Sequence, residues 1–132
     1  MLNPRLWYVN VFVTDLERAV AFYRDTLGLP LQFQEQQFGY ASFAPEGVRL
    51  GLARVDPNAP ESTSLVGRHT GVAFGVPDLD AAHAQLAAKG VRFTMPPSRQ
   101  PWGGYMATFA DPDDNIFYLD QLREEPGDEP PR

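Results

Sequence analysis

The sequence predicts an α+β protein of two tandem βαβββ modules, and three observations predict it. One pattern is used twice, as VNVFVTDLERAVAFYRDTLG from Val9 to Gly28 and as VAFGVPDLDAAHAQLAAKG from Val72 to Gly90. Setting Asp15 on Asp78 also sets Val9 on Val72, Val13 on Val76, Leu16 on Leu79 and Ala19 on Ala82. Each copy opens with a period-2 run, continues with a helical period, and is followed by several short β-rich stretches. The repeat is too long for a short-period solenoid, because each copy holds a helix and several strands. A chain of 132 residues is also long enough to bury a core without a metal or disulfide staple.

In module one the leading segment Met1 to Leu6 precedes a strand from Trp7 to Val13. Thr14 and Glu17 have the spacing of a capping box, and Leu16, Ala19, Val20, Tyr23 and Leu27 keep helical spacing up to Gly28. Three strands are expected at Leu29 to Glu35, Phe38 to Ala44 and Val48 to Val55, broken by Gly39 and the turn Pro45-Glu46-Gly47. Asp56 to Gly67, rich in Pro, Ser, Thr and Asn, is expected to be an exposed crossing.

Module two repeats the plan. TGVAFGV is a strand, Asp78 caps a helix carrying Leu79, Ala82 and Leu86, and Gly90 closes it. VRFTMPP reads as a short strand ended by Pro96 and Pro97. The loop SRQPWGG, the strand YMATFA, the turn DPDDN and the strand IFYLDQL follow. The expected organisation is one domain over 1–122 (module one 7–55, linker 56–67, module two 68–122), with a disordered, proline-rich and charged tail over 123–132.

Composition narrows function only a little. The chain has no cysteine, which excludes disulfides, thiolate metal sites and cysteine nucleophiles. No apolar run reaches the ~18 residues of a membrane span, so cytoplasmic location without a membrane partner is the expectation. Of the net charge of −6, the last ten residues carry −2, and the acidic remainder argues against nucleic acid as a partner.

Alternation divides each long strand into two faces. Val9/Val11/Val13, Val48/Leu50/Leu52, Val72/Phe74/Val76 and Phe117/Leu119 form apolar faces, expected under the helices. The opposite faces hold Tyr8/Asn10/Phe12, Arg49/Gly51/Ala53, Gly71/Ala73/Gly75 and Ile116/Tyr118/Asp120. The small residues there suggest either a hollow that holds a ligand or a surface packed closely by another module or chain.

The paired V-x-V-x-D-L openings, FYRDTLGL and the PWG…F-x-DPDxN ending resemble the vicinal oxygen chelate superfamily of glyoxalases, bleomycin-resistance proteins and dioxygenases, over Tyr8 to Leu122. The resemblance implies a curved, cup-shaped mixed sheet with helices on its outer face, and a homodimer. In metal-dependent members it implies four ligand positions, which fall here on Tyr8, Gly51, Gly71 and Tyr118. None is a His, Gln or Glu, so no metal ligand, cofactor or catalytic residue is carried over. Within the superfamily the pattern most resembles the metal-free, bleomycin-resistance-like, antibiotic-binding branch, and QPWGG (Gln100 to Gly104) resembles that branch's loop. Asp114 stands where relatives have Gly in DPDGN, a position expected to need a positive φ.

The implied function is sequestration of a small aromatic or drug-like molecule, the alternative being a lyase, isomerase or dioxygenase with a non-standard metal site. Ligand-binding candidates are Tyr8, Asn10, Phe12, Arg49, Trp102, Tyr118 and Asp120. Trp102 either stacks on a flat ligand or plugs the core. His69 and Asp120 share strand parity and are the candidates for a shifted metal site, while His83 is expected half-buried at the edge of the second helix. Phe33, Phe38, Tyr40 and Phe43 lie on short strands whose faces the sequence leaves unassigned, because one bulge reverses parity.

Overall fold

The computed structural model describes residues 2–44 and 47–123. Pro45 and Glu46 of the expected turn, and 124–132 of the expected tail, lie outside the described residues. The described residues divide into two compact units, one up to Gly67 and one from Arg68 onward. Each unit builds a four-stranded mixed sheet with the βαβββ order, neither sheet closes into a barrel, and the class is α+β.

In the first unit β1 (Tyr8–Val13) leads into α1 (Leu16–Ala21), followed by β2 (Leu31–Glu35), β3 (Tyr40–Phe43) and β4 (Arg49–Arg54). The sheet order is β1-β4-β3-β2, with β1 and β4 parallel and in unbroken register from Tyr8↔Arg49 to Val13↔Arg54. Helix α1 packs Leu16, Ala19 and Val20 onto β3 and β4, where Val11, Val13, Leu50 and Leu52 are buried. Val48 precedes β4 and is exposed, so it stands outside the core expected for it.

The helix start differs from the expected capping box. Asp15 is the N-cap, its Oδ1 accepting from Arg18 N at 3.1 Å, because its extended backbone (φ −132°) points the side chain at the free first-turn N–H groups. The helix then widens into a π-turn over Phe22–Thr26, with Leu27 N donating to Phe22 O at 2.9 Å. Tyr23, in that turn, is fully buried with its ring 6.0 Å from Phe43. Gly28 ends the segment at φ +80°, as expected.

The crossing carries its own short helix, α2 (Ser62–Leu65), where the sequence suggested only exposed loop. Ser62 is buried there and its Oγ donates to Pro57 O at 3.1 Å.

In the second unit β5 (His69–Val76), α3 (Leu79–Ala88), β6 (Arg92–Arg99), β7 (Tyr105–Ala110) and β8 (Ile116–Gln121) give the order β5-β8-β7-β6. Asp78 caps α3 as expected, accepting from Ala81 N at 3.1 Å, and Gly90 closes the helix region at φ +90°. Gln121 ties the same helix start to the sheet, its Oε1 accepting from Leu79 N at 2.8 Å. Leu79 and Leu86 pack inward with Phe109, Phe117 and Leu119, whereas Val72, Phe74 and Val76 are half-buried. His83 is half-buried, edge-on to Phe93 at 4.5 Å.

Strand β6 does not stop at the prolines. It continues to Arg99 with register shifts between Phe93 and Met95 and between Met95 and Ser98. Successive N–H groups alternate sides along a strand, so the proline facing outward costs the edge strand no ladder bond, and the bulge between Met95 and Ser98 accommodates the other. The turn after β7 is held by Asp111, whose Oδ1 accepts from Asp113 N and Asn115 N at 2.9 Å. Asp114 has φ +65°, the positive value expected, and its carboxylate meets Arg92 at 2.5 Å.

Candidate functional site

The face of the first sheet away from α1 is built by parity. Tyr8, Asn10 and Phe12 on β1 stand beside Arg49, Gly51 and Ala53 on β4. Across β3, Ser42 pairs with Gly51 and Tyr40 with Ala53, and across β2, Phe33 pairs with Ser42 and Glu35 with Tyr40. This assigns the faces that the sequence left open. Tyr40 and Phe33 belong to the open face with ring centroids 6.0 Å apart, Phe43 belongs to the core, and Phe38 is exposed in the β2–β3 turn. The signal was present in YASF, where Ala41 and Phe43 alternate with Tyr40 and Ser42.

Over Gly51 the Tyr40 hydroxyl donates to Asn10 Oδ1 at 3.0 Å. A Cβ on Gly51 would fall on both of those atoms, so the glycine is what leaves room for the hydrogen bond. Burial, with Tyr8 close by, raises the Tyr40 hydroxyl above the ordinary phenol value. Ser42, also buried, donates to Gln32 Oε1 at 2.9 Å. Tyr8 and Phe33 are each 48% exposed, and Asn10 and Arg49 are exposed, so this face presents rings, an amide and a guanidinium to solvent.

The second sheet arranges its open face differently. Ala73 pairs with Tyr118 and Gly75 with Asp120, and Met106 lies beside Asp120 on β7. An open hollow of about 200 Å³ lies here, lined among others by Gly75, Trp102, Gly104, Met106, Asp120 and Leu122. The Trp102 loop is closed by Gln100 N donating to Gly104 O at 2.7 Å and Gly103 N to Gln100 O at 2.9 Å, with Gly103 at φ +98°. The indole lies over Gly104, where a Cβ would meet Nε1 at 2.6 Å. Trp102 is 42% exposed and so walls the hollow; it does not plug the core.

Two neighbours hold that loop. Arg99 Nη1 donates to Gly103 O at 3.2 Å and its guanidinium sits 4.8 Å from the Tyr105 ring centre. The Tyr105 hydroxyl donates to Asp80 Oδ1 at 2.6 Å, which raises it above the ordinary phenol value.

Of the candidate residues, the structure places Tyr8, Asn10, half-buried Phe12 and Arg49 on the first open face, and Trp102 and Asp120 in the hollow of the second unit. Tyr118 is half-buried on the same sheet, its ring 4.8 Å from that of His69, and does not line the hollow. Tyr40 and Phe33, and around the hollow Gly75, Met106 and Leu122, join them without having been candidates.

The metal donor set implied by the wider resemblance does not fit these residues. Gly51 and Gly71 offer no side chain, and the space over Gly51 is taken by the Asn10–Tyr40 hydrogen bond. The shifted pair does not converge either. His69 lies beside Ile116 and Asp120 beside Gly75, four residues apart along β8, which is about 13 Å of strand. His69 Nδ1 also accepts from Gly71 N at 3.2 Å, and among the described residues no three His, Cys, Asp or Glu side chains gather as a metal set. Among the described residues no helix is long and apolar enough to cross a membrane.

Comparison with known proteins agrees with this architecture. Residues 5–119 match the Glyoxalase family, described as the Glyoxalase/Bleomycin resistance protein/Dioxygenase superfamily. An uncharacterised protein, YraH, of Bacillus subtilis (strain 168) is 32% identical over 123 residues, covering 87% of this chain and 96% of YraH. A member of the same superfamily from Sphaerobacter thermophilus DSM 20745 is 30% identical with a TM-score of 0.76, over 92% of this chain and 100% of that one. TnmS3, an antibiotic binding protein from Streptomyces sp. CB03234, is 34% identical with a TM-score of 0.72, over 93% of this chain and 99% of its own.

Proposed function

The chain belongs to the glyoxalase/bleomycin resistance protein/dioxygenase superfamily, and from that premise we propose that it is a binder of its antibiotic-binding, metal-free branch, holding a flat aromatic or drug-like molecule and sequestering it without making or breaking a bond. The observation that carries this reading is the pairing of an indole with small strand residues. Trp102 stands on a glycine-braced loop beside Gly75, and the space between them is an open hollow walled by Met106 and Leu122. An aromatic ring lying there gains area burial and stacking worth ~0.5 to 1.5 kcal/mol beyond it. The description of TnmS3 as an antibiotic binding protein supports the same reading.

A hollow of about 200 Å³ is smaller than the roughly 300 Å³ or more of a drug-sized pocket, so it takes one part of such a ligand. A second copy of the chain supplies further cover, and the working unit of this proposal is a homodimer in the cytoplasm. Asp120 lines the same hollow; Tyr118 on the second open face, and Tyr8, Asn10, Phe12 and Arg49 on the first, are the remaining proposed contacts, each within its own unit.

The test is titration with a panel of planar aromatic antibiotics, read by tryptophan quenching, with native mass spectrometry and elemental analysis on the same sample. The expected result is a dimer that quenches at micromolar ligand or below and returns the ligand chemically unchanged. Conversion of the ligand, or a stoichiometric metal held through purification, overturns the proposal. Trp102→Ala is expected to abolish most of the quench.

A further inference from the structure

We infer that the open face of the first sheet selects an aromatic carboxylate, taking the acid on Arg49 and Asn10 and the fused rings across Phe33 and Tyr40. This rests on the proposed binding of a flat ligand and adds the chemical class.

Charge leads the argument. Unbroken register places Arg49 on the same side as Gly51 and beside Tyr8, and Arg49 is exposed. Among the described residues no carboxylate forms an ion pair with it. Guanidinium recognises a carboxylate through two parallel N–H donors, which a neutral carbonyl cannot match.

Next to it in the following row of the sheet stands Asn10. Its Oδ1 is engaged by the Tyr40 hydroxyl, so the amide is turned with Nδ2, its donor end, left over for a ligand. A fixed amide donor beside a guanidinium suits an anion with two oxygens. The negative side chain of this face, Glu35, lies at the opposite corner, two strands and two rows from Arg49. A carboxylated ligand is therefore attracted at one end and repelled at the other, which gives it a single orientation.

The apolar part of the ligand follows from geometry. Phe33 lies two strands and one row from Arg49, about 12 Å away, and the Tyr40 ring, rooted one row further on, reaches over Gly51 toward Asn10 with its centre 6.0 Å from that of Phe33. The Asn10–Tyr40 hydrogen bond fills the space over Gly51, so the rings of the ligand lie on top of it. A fused-ring acid spans this distance with its carboxylate at the Arg49 end.

Each unit also contains its own reporter. Trp7 lies edge-on to Tyr8 at 5.6 Å, and Trp102 belongs to the other unit's hollow; the chain has these two tryptophans only. The experiment compares 2-naphthoate with neutral 2-naphthamide, by calorimetry on the full chain and by quenching of Trp7 in W102F. The naphthoate is expected to bind about tenfold more tightly than the amide. Arg49→Met is expected to erase that preference, and Arg49→Lys to keep part of it as a point charge. Equal affinities for acid and amide, or a preference that survives Arg49→Met, overturn the inference while quenching of Trp102 in the unmodified chain keeps the binding proposal standing. If neither probe nor any planar antibiotic binds, both fall together.

Discussion

The two open faces use one strand plan to opposite ends. At the centre of the first, a large residue on β1 (Asn10) pairs with the smallest on β4 (Gly51). At the centre of the second, a small residue on β5 (Ala73) pairs with a large one on β8 (Tyr118). The two pairs place the small residue on opposite strands. They differ in chemistry. The first closes its centre with the Asn10–Tyr40 hydrogen bond and presents a polar, ringed plate, while the second leaves space between Gly75 and the Trp102 loop. A repeat can thus preserve its core and still diversify its outer surface, because only one side of each sheet is bound by the helix.

If large-against-small pairing is the rule, exchanging it in one unit must be costly alone and tolerated together. Gly51→Tyr is expected to destabilise the chain by about 3 kcal/mol in urea unfolding, since the ring must displace Asn10 and Tyr40. Adding Asn10→Ala and Tyr40→Met, the residues of the second unit's pattern, is expected to return more than half of the loss. A triple variant no better than Gly51→Tyr would break the comparison.

A weaker lever acts on the hollow. Gly75→Ala places a methyl where the Leu122 side chain lies, so aromatic ligands are expected to bind about tenfold more weakly with little change in the unfolding midpoint. An unchanged affinity would place the ligand elsewhere. The comparison is sharpened further by a feature that both sheets share. Ser42 bonds Gln32 at 2.9 Å and Thr108 bonds Thr94 at 2.6 Å, each joining the third strand to the edge strand. Ser42→Ala and Thr108→Val are each expected to cost about 1 kcal/mol, and a large difference between them would show that the two pins are not equivalent.

The smallest effect is one of pH. Tyr40 holds its proton more tightly folded than unfolded, so its contribution to stability is full below the ordinary phenol range and is lost as pH rises through the raised value. Unfolding followed across the alkaline range is expected to show a steeper loss in the native chain than in Tyr40→Phe. The same slope in both would assign the loss to other groups.

How much of this was legible in the chain follows from which forces were local. The two helices and the β1 and β5 strands were readable because periodicity reports one-sided burial directly, and Asp78 and both closing glycines sit where backbone geometry demands them. The capping residue of α1 was misplaced by one position, since Thr14 and Asp15 are both competent caps and only the backbone turn chooses between them. The path of β6 through Pro96 and Pro97 was hidden because proline's cost depends on whether the strand has a neighbour on that side. Tyr40 was invisible as a site residue for a related reason. Its importance comes from Asn10, thirty residues away in the chain, and from the absence of a side chain on Gly51.

By itself, then, the sequence determined the repeat, the α+β class, the two buried faces and the family, because hydrophobic periodicity and turn chemistry act over a few residues and survive any tertiary context. Only the tertiary structure decided which small residue opens a hollow and which makes room for a hydrogen bond. Gly51 and Gly75 read alike in the chain, yet one lies under Asn10 and Tyr40 and the other beside Leu122 and the Trp102 loop. What fills the space over a glycine is set by strands that pair across the sheet, and that pairing is not a local property.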